Sequence, residues 1–153
     1  MSAIEARLAE LGVVLPDAPA PAANYVPFVI SGGVVYVSGQ ISAGPDGFIT
    51  GKLGADLDVA AGAAAARTCA ISLIAQARKA AGGDLDRIAR VVKLTGFVNS
   101  TPDFGDQPKV VNGASDFLVE VFGDKGRHAR SAVSAASLPF GVAVEIEAIF
   151  ELA

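Results

Sequence analysis

The sequence has few of the residues on which disulfides, metal centres and histidine-based catalysis depend. It contains one cysteine, one histidine, one methionine and no tryptophan among 153 residues. The single cysteine, Cys69, excludes an internal disulfide and a multi-cysteine zinc site, and its apolar neighbours predict a buried position. His128 alone cannot form a multi-histidine metal site, and no HExxH motif surrounds it. We therefore expect no metal and no cofactor, and we interpret His128 as a loop residue.

Sequence patterns typical of nucleotide, nucleic-acid and membrane binding are also missing. The glycine-rich segments 31–33 and 44–47 have the spacing of hairpin turns and lack the lysine of a phosphate-binding loop. No GxSxG motif of a serine hydrolase occurs. The net charge is −4 and the 12 basic residues are scattered, which argues against nucleic acid as a partner. Because charges interrupt the first residues and every long apolar stretch, we expect a cytoplasmic protein that does not insert into membranes.

Small apolar residues, by contrast, are present in excess. Hydrophobic residues make up 52% of the chain, which is more than a monomer of this size needs, and the excess is mostly Ala and Val. We interpret it as a buried subunit interface. The length favours one domain over 1–153, in which 1–17 form an N-terminal helical extension and linker.

Capping and turn residues divide the chain into strands and helices. Ser2 and Glu5 have capping-box spacing and begin a predicted helix over 3–11, and four prolines between 16 and 27 predict an extended connector. The pair Gly32-Gly33 predicts a hairpin between strands. The predicted elements after the first helix are strands at 28–31, 34–41 and 48–50, a helix from Asp56 or Asp58 to about 81, one helical turn at 84–89, a strand at 90–98, a helix at 109–122, and strands at 131–137 and 142–152. The order ββ(β)αβαββ indicates an α+β domain with both main helices on one face of a mixed sheet.

Arg130 is the residue best suited to bind a ligand. It precedes the apolar pair Ala132-Val133, where an unpaired guanidinium is costly to bury. Its planar fork fits a carboxylate. From the residues alone two interpretations stay open: an ion pair with Glu145 or Glu147 on the neighbouring strand, or a site for an acidic ligand.

Several segments of the chain resemble the RidA (YjgF) family. Residues 129–133 (ARSAV), the pair Leu138-Pro139 and residues 144–149 (VEIEAI) are similar to the C-terminal signature of that family. Upstream, residues 37–41 (VSGQI) are similar to its first hairpin, and residues 22–29 to its N-terminal tyrosine segment. The resemblance covers about residues 18–152 in the same order and spacing.

The resemblance implies a chorismate-mutase-like fold that forms a homotrimer with a barrel-like core and clefts between subunits. It implies hydrolytic deamination of small enamine or imine carboxylates, such as 2-aminoacrylate, to 2-oxo acids and ammonia. By their match to family positions, Arg130 grips the substrate carboxylate and Glu145 positions or activates water. Three more residues match positions that line or hydrogen-bond the cleft: Tyr25, Ser38 and Asn112.

The chain also departs from the family pattern. Ala132 stands where many members have a cysteine, so thiol chemistry is absent there. The N-terminal extension and the long loop 100–109 are similar to a longer subgroup, and Asn24-Tyr-Val-Pro27 replaces the commoner Gly-Pro-Tyr. Two other functions stay open: a non-catalytic protein that binds or senses small carboxylates, and an endoribonuclease or translation inhibitor, which the acidic charge disfavours.

Overall fold

The computed structural model describes residues 2–20 and 23–153 of the chain. Its elements are helix α1 (Ala3–Glu10), strands β1 (Phe28–Ser31), β2 (Val34–Ile41), β3 (Ala43–Gly44) and β4 (Gly47–Phe48), helix α2 (Val59–Ala80), strand β5 (Ile88–Asn99), helix α3 (Gln107–Phe122), and strands β6 (Ala129–Ala135) and β7 (Val144–Leu152). Short 3-10 turns lie at Leu85–Arg87, Gly123–Gly126 and Pro139–Gly141. The α+β class and the predicted order of the helices and main strands are confirmed, and the two-residue strand β3 was not predicted.

One five-stranded sheet, in the order β1-β2-β7-β5-β6, organises the molecule. Its neighbouring strands are antiparallel except β5 and β6, which are parallel. Parallel neighbours need a long crossover connection, and α3 supplies it. In this order β6 is an edge strand, and α3 packs against it, whereas β7 lies at the centre of the sheet.

The first hairpin follows directly from its glycines. Gly32 and Gly33 have φ angles of 59° and 77°, and two successive positive φ values are what a tight two-residue hairpin turn requires. The turn sets the pairing of Phe28 with Val37 and of Ser31 with Val34. Both strands have the predicted bounds.

The helices cover one face of the sheet, and the hydrophobic core lies between them. Four alternating residues of β7 point into this core: Val144, Ile146, Ala148 and Phe150. The side chain of Asp58 caps α2 by accepting a hydrogen bond from the amide of Ala61 at 2.8 Å. α2 is long and apolar enough to cross a membrane by length and composition, but half of that stretch is buried inside the molecule. Here α2 packs as a core helix.

The N-terminal helix α1 is held against the rest of the molecule by hydrogen bonds at its first turn and by one residue that is buried in the core. The carboxylate of Asp86 accepts hydrogen bonds from the amides of Ala3 and Ile4, at 2.9 and 3.1 Å, and Leu8 is buried. The connector that follows was predicted to include Pro21, and the family-like segment begins at Ala22. Both residues lie outside the described part of the chain.

Four predicted strands have different bounds in the structure. The strands predicted at 90–98 and 142–152 are β5 (Ile88–Asn99) and β7 (Val144–Leu152). The strand predicted at 131–137 begins at Ala129, because residues 129–135 pair in parallel with residues 93–99 of β5. Arg130 therefore lies within a strand and not before one. The strand predicted at 48–50 is reduced to the end of a small hairpin with β3, and Thr50 only bridges to Val142.

Candidate functional site

Arg130 lies on edge strand β6, and its side chain is turned toward α3. Its backbone pairs with Leu94, which is fully buried on the helix-covered face of the sheet. Nη1 donates to Asn112 Oδ1 at 2.8 Å and to Ser115 Oγ at 3.1 Å. Nη2 donates to the carbonyl oxygen of Pro108 at 3.4 Å. The structure therefore brings Arg130 and Asn112, two of the predicted site residues, into direct contact.

The guanidinium of Arg130 has no ion-pair partner among the described residues, and its hydrogen-bond donors are only partly used. Its three acceptors are neutral oxygens, and the salt bridges within residues 2–20 and 23–153 do not include Arg130. The ion pair with Glu145 or Glu147 that the sequence allowed is not formed within those ranges. Both hydrogens of Nη1 are donated, whereas Nε has no acceptor among the described residues. Nε and Nη2 form the edge that can hold a carboxylate by two parallel hydrogen bonds.

Ser115 contacts this arginine and His128 contacts Ser115, although the sequence pattern assigned neither to the site. The Nε2 atom of His128 lies 2.9 Å from Ser115 Oγ, and its Nδ1 lies 2.6 Å from the carbonyl oxygen of Gly126. Two sequence spacings could have indicated them. Ser115 follows Asn112 by one helical turn, and His128 precedes Arg130 by two residues of extended chain, so each pair can share a face.

A cavity of about 240 Å³ opens beside Arg130. It is lined by Ser115, Asp116, Val119, Arg127, His128 and Arg130. Burial lowers the pKa of His128, the hydrogen bond to Gly126 opposes this, and the positive charge of Arg130 lowers it further. His128 is therefore neutral at pH 7, and the wall of the cavity at this point is polar but uncharged.

Glu145 lies on the central strand β7 and faces away from the helices. It alternates with Val144 and Ile146, which are fully buried against the helices, so its side chain projects from the other face of the sheet. Its carboxylate fills the space above Gly39 of β2, where any Cβ atom would collide with it. Burial raises the pKa of Glu145, and the like charge of Glu147 raises it further.

Ser38 directly precedes Gly39, over which the Glu145 carboxylate lies, and Tyr25 lies on the segment that Ser38 holds. Ser38 precedes Gly39 at the irregularity in the pairing of β2 with β7. Its hydroxyl donates to the carbonyl of Val26 at 3.2 Å and its amide to the carbonyl of Pro27 at 2.9 Å. These bonds fix the chain just after Tyr25, which is 48% exposed.

The predicted site residues therefore form two groups, which project from opposite faces of one sheet. Arg130 and Asn112 form an arginine group on the helix-covered face, at the β6 edge. Glu145 and Ser38 form a glutamate group on the other face, near β2. Strand β5 separates β6 from β7, and no hydrogen bond among the described residues joins the groups. Within one chain, a small substrate cannot touch Arg130 and Glu145 together.

Comparisons with known proteins agree on one family. A sequence model described as "YjgF/chorismate mutase-like, putative endoribonuclease" matches residues 5–151. The chain is 54% identical to protein TCP17 of Trypanosoma cruzi over 151 residues, which cover 97% of this chain and 94% of that protein. A crystal structure of a protein of unknown function from Agrobacterium tumefaciens is 51% identical, with a TM-score of 0.90 and coverage of 98% and 94% of the two chains. The E. coli protein TdcF, solved with bound serine, is 30% identical, with a TM-score of 0.61 and coverage of 89% and 94%.

Proposed function

This chain belongs to the YjgF/chorismate mutase-like family, and on that premise we propose that it hydrolyses small reactive enamine or imine carboxylates to 2-oxo acids and ammonia. The observation that carries the proposal is the hydrogen bonding and the charge of the Arg130 guanidinium. This guanidinium is held by three neutral oxygens and forms no ion pair among the described residues, and Nε and one hydrogen of Nη2 have no protein acceptor there. A pre-oriented cation of this kind binds a small carboxylate without first breaking an ion pair.

The chemistry needs few groups beyond this arginine. An enamine acid such as 2-aminoacrylate first tautomerises to its imine. Water then adds to the imine carbon, and the tetrahedral adduct expels ammonia and leaves a 2-oxo acid. In the proposed mechanism Arg130 orients the substrate by its carboxylate. Glu145 takes a proton from the attacking water and returns it to the leaving nitrogen, a role that suits a carboxyl whose pKa is raised toward neutrality.

The proposal requires a site shared between subunits. Because Arg130 and Glu145 project from opposite faces of one sheet, the arginine group of one chain must meet the glutamate group of another. We propose that a homotrimer in the cytoplasm provides three such clefts. In each cleft, Asn112 supports the arginine from its own chain, and Tyr25 and Ser38 line the side that carries Glu145.

The first experiment measures the release of pyruvate from 2-aminoacrylate, which a dehydratase generates in the same cuvette. We expect the wild-type protein to accelerate pyruvate release over the spontaneous rate, and the Arg130→Ala variant to give no acceleration while its circular dichroism spectrum and oligomeric mass stay unchanged. Lys109→Ala, which removes an exposed cation near the start of α3, is the matched control and should retain the activity. Full activity in a folded Arg130→Ala variant contradicts the proposal.

A non-catalytic role in binding small carboxylates is the second candidate. It is favoured by the fact that the arginine group is complete within one chain, whereas Glu145 needs a second chain to reach the same ligand. The relative TdcF was solved with bound serine, which carries such a carboxylate. This function predicts saturable binding of serine or pyruvate, measured by calorimetry, without release of ammonia from any imine.

An endoribonuclease activity, which the description of the family mentions, has less physical support in this chain. Its net charge is −4, whereas proteins that bind RNA through phosphates concentrate basic residues on one surface. Its single histidine is neutral and hydrogen-bonded within the fold. Cleavage of a labelled RNA by the wild-type protein, lost in the Arg130→Ala variant, would favour this function over deamination.

A further inference from the structure

The contacts of His128 determine which of its nitrogens carries a proton. Nδ1 lies 2.6 Å from the carbonyl oxygen of Gly126, and this oxygen can only accept a hydrogen bond. Nδ1 is therefore protonated, and in a neutral ring Nε2 is then an acceptor. Its partner, 2.9 Å away, is the hydroxyl of Ser115. Ser115 must donate to His128.

The direction of this bond fixes what Ser115 offers to Arg130. With its hydrogen directed at Nε2, the hydroxyl oxygen presents its lone pairs elsewhere. Nη1 of Arg130 lies 3.1 Å from that oxygen and donates to it. The three side chains therefore form a directed chain of hydrogen bonds from Arg130 through Ser115 to His128, anchored on the backbone at Gly126.

We propose that Ser115 and His128 are positioning residues, which hold Nη1 of Arg130 so that its Nε–Nη2 edge faces an incoming carboxylate. This inference rests on the proposed function, since it assigns these two residues to the carboxylate end of the same site. Without the hydroxyl, Nη1 keeps only Asn112, which is exposed, and the guanidinium can rotate about its last torsions. Ordering it again on binding then costs affinity.

The charges around His128 set the sign of its response to a ligand. Asp116 lines the cavity from α3, and Arg127 and Arg130 line it from the segment of His128 itself. On β5, Arg90 donates to the carbonyl of Arg127 and Lys93 pairs with Ala129. Of these charged groups, Arg130 is the one whose positive charge lowers the pKa of His128, in addition to the larger effect of burial. A carboxylate bound to Arg130 offsets that charge and must raise the pKa of His128. By reciprocity, the carboxylate binds more tightly as the pH falls through the titration of His128.

A single histidine makes the test unusually direct, because its ring signals in a nitrogen-correlated NMR spectrum need no assignment. In the wild-type protein we expect the Nδ1-protonated neutral tautomer. Addition of pyruvate, the probe ligand, should raise the pKa of His128 measured by pH titration. Arg130→Gln, which removes the neighbouring cation, should raise it without any ligand.

Substitutions then test whether Ser115 and His128 affect ligand binding. Ser115→Ala and His128→Ala should each weaken pyruvate binding about three- to tenfold, the effect of one lost hydrogen bond between neutral side chains and a positioned cation. In turnover assays they should raise KM by a similar factor and change kcat less, because the carboxylate is held equally in the ground state and the transition state. Ser115→Thr, which keeps the hydroxyl, should restore wild-type affinity. Glu120→Gln, at an exposed position of α3 outside the cavity lining, is the control and should leave both affinity and tautomer unchanged.

The outcomes separate this inference from the proposed function. Unchanged pyruvate affinity in both Ser115→Ala and His128→Ala overturns the inference while leaving the deaminase proposal intact. Should wild-type protein neither bind pyruvate nor hydrolyse 2-aminoacrylate, the proposed function fails. In that case the NMR measurements on His128 still test the inference. An Nε2-protonated tautomer contradicts the hydrogen-bond chain, as does a pKa of His128 that does not change in Arg130→Gln. The Nδ1-protonated tautomer and a raised pKa in Arg130→Gln support it.

Discussion

At the scale of single residues, the protonation of Glu145 affects both stability and the proposed chemistry. Burial and the nearby Glu147 raise the pKa of its carboxyl group. Folding therefore favours the protonated form, so that ionisation of Glu145 opposes folding. The stability associated with the protonated carboxyl is present below the pKa of the unfolded chain and is lost as the pH rises through the higher pKa of the folded chain.

We expect the Glu145→Gln variant to have a flatter dependence of stability on pH than the wild-type protein. Glutamine keeps the shape of the protonated carboxyl and cannot ionise, so the loss of stability between the ordinary glutamate pKa and the raised one should disappear. Urea unfolding at a series of pH values measures this. Glu151→Gln, at an exposed position on the same strand, is the control and should follow the wild-type curve. An equal slope for Glu145→Gln and wild type contradicts the prediction.

The sequence predicted some site residues well and could not predict others. The resemblance singled out Arg130 and Asn112, which are in contact in the structure. It gave no reason to choose Ser115 or His128. Both lie in ordinary surroundings along the chain, and only the packing of α3 on β6 brings them together. That packing depends on which strand takes the sheet edge, a long-range property that local patterns do not encode.

At the scale of secondary structure elements, the contact between α2 and α3 depends on Gly113. A Cβ atom at this position would strike the backbone of Ala63, including its carbonyl oxygen. A backbone atom within a helix cannot turn away as a side chain can, so the two helices approach as closely as a glycine allows. The same contact fixes α3 over the sheet, and with it Asn112 and Ser115 beside Arg130.

We expect Gly113→Ala to lower the free energy of unfolding by about 1–3 kcal/mol, the usual cost of overpacking a core contact. The higher helix propensity of alanine acts in the opposite direction, by at most about 1 kcal/mol, so a net loss identifies the collision. Gly105→Ala, where an added Cβ meets nothing within 4 Å, is the matched control and should change stability little. Denaturant unfolding measures both variants, and a Gly113→Ala protein as stable as the wild type contradicts the prediction.

Elements with strong local signals were predicted closely. The hairpin at Gly32-Gly33 and the helix capped by Asp58 have the expected bounds, because turn conformation and capping are decided within a few residues. The start of β6 was placed two residues late. Its first residues are charged or small, and what makes them a strand is pairing with β5, which lies more than thirty residues earlier in the chain.

At the scale of the whole molecule, the face of the sheet opposite the helices, here called the open face, exposes apolar side chains. Tyr36 is 49% exposed and Val133 is 44% exposed, and both project from it, as do Ile41, Phe97 and Ile149. A cross-strand row of Ile41, Glu145, Phe97 and Val133 runs across the open face. Exposed apolar side chains grouped on one face of a sheet are typical of protein interfaces. This surface agrees with the excess of small apolar residues and supports the proposed homotrimer.

The separation of the two groups of site residues is a property of the complete fold that the sequence could not reveal. The sequence predicted that successive side chains along β6 and β7 alternate between the two faces of the sheet. Whether Arg130 and Glu145 share a face, however, depends on the sheet order and on the register of both strands with β5. That register pairs Arg130 with Leu94 and Glu145 with Phe97, an odd number of positions apart on one strand. The two side chains consequently leave the sheet in opposite directions.

The sharing of one site between chains leads to the most discriminating prediction. Arg130→Ala and Glu145→Gln should each be inactive alone, since each homotrimer lacks one of the two groups in every cleft. In a mixed trimer, a cleft that takes its arginine from a Glu145→Gln chain and its glutamate from an Arg130→Ala chain contains both wild-type groups. Random mixing at equal amounts creates such clefts with a frequency of about one in four.

We therefore expect activity to reappear when the two inactive variants are unfolded together and refolded as a mixture, at about a quarter of the wild-type value per cleft. Each variant refolded separately and mixed afterwards, without exchange of subunits, is the control and should stay inactive. Light scattering checks that the refolded species has the same mass as wild type. Absence of activity in mixed trimers of confirmed composition would show that Arg130 and Glu145 do not act on one substrate from different chains, whereas recovery cannot arise from a site contained within a single chain.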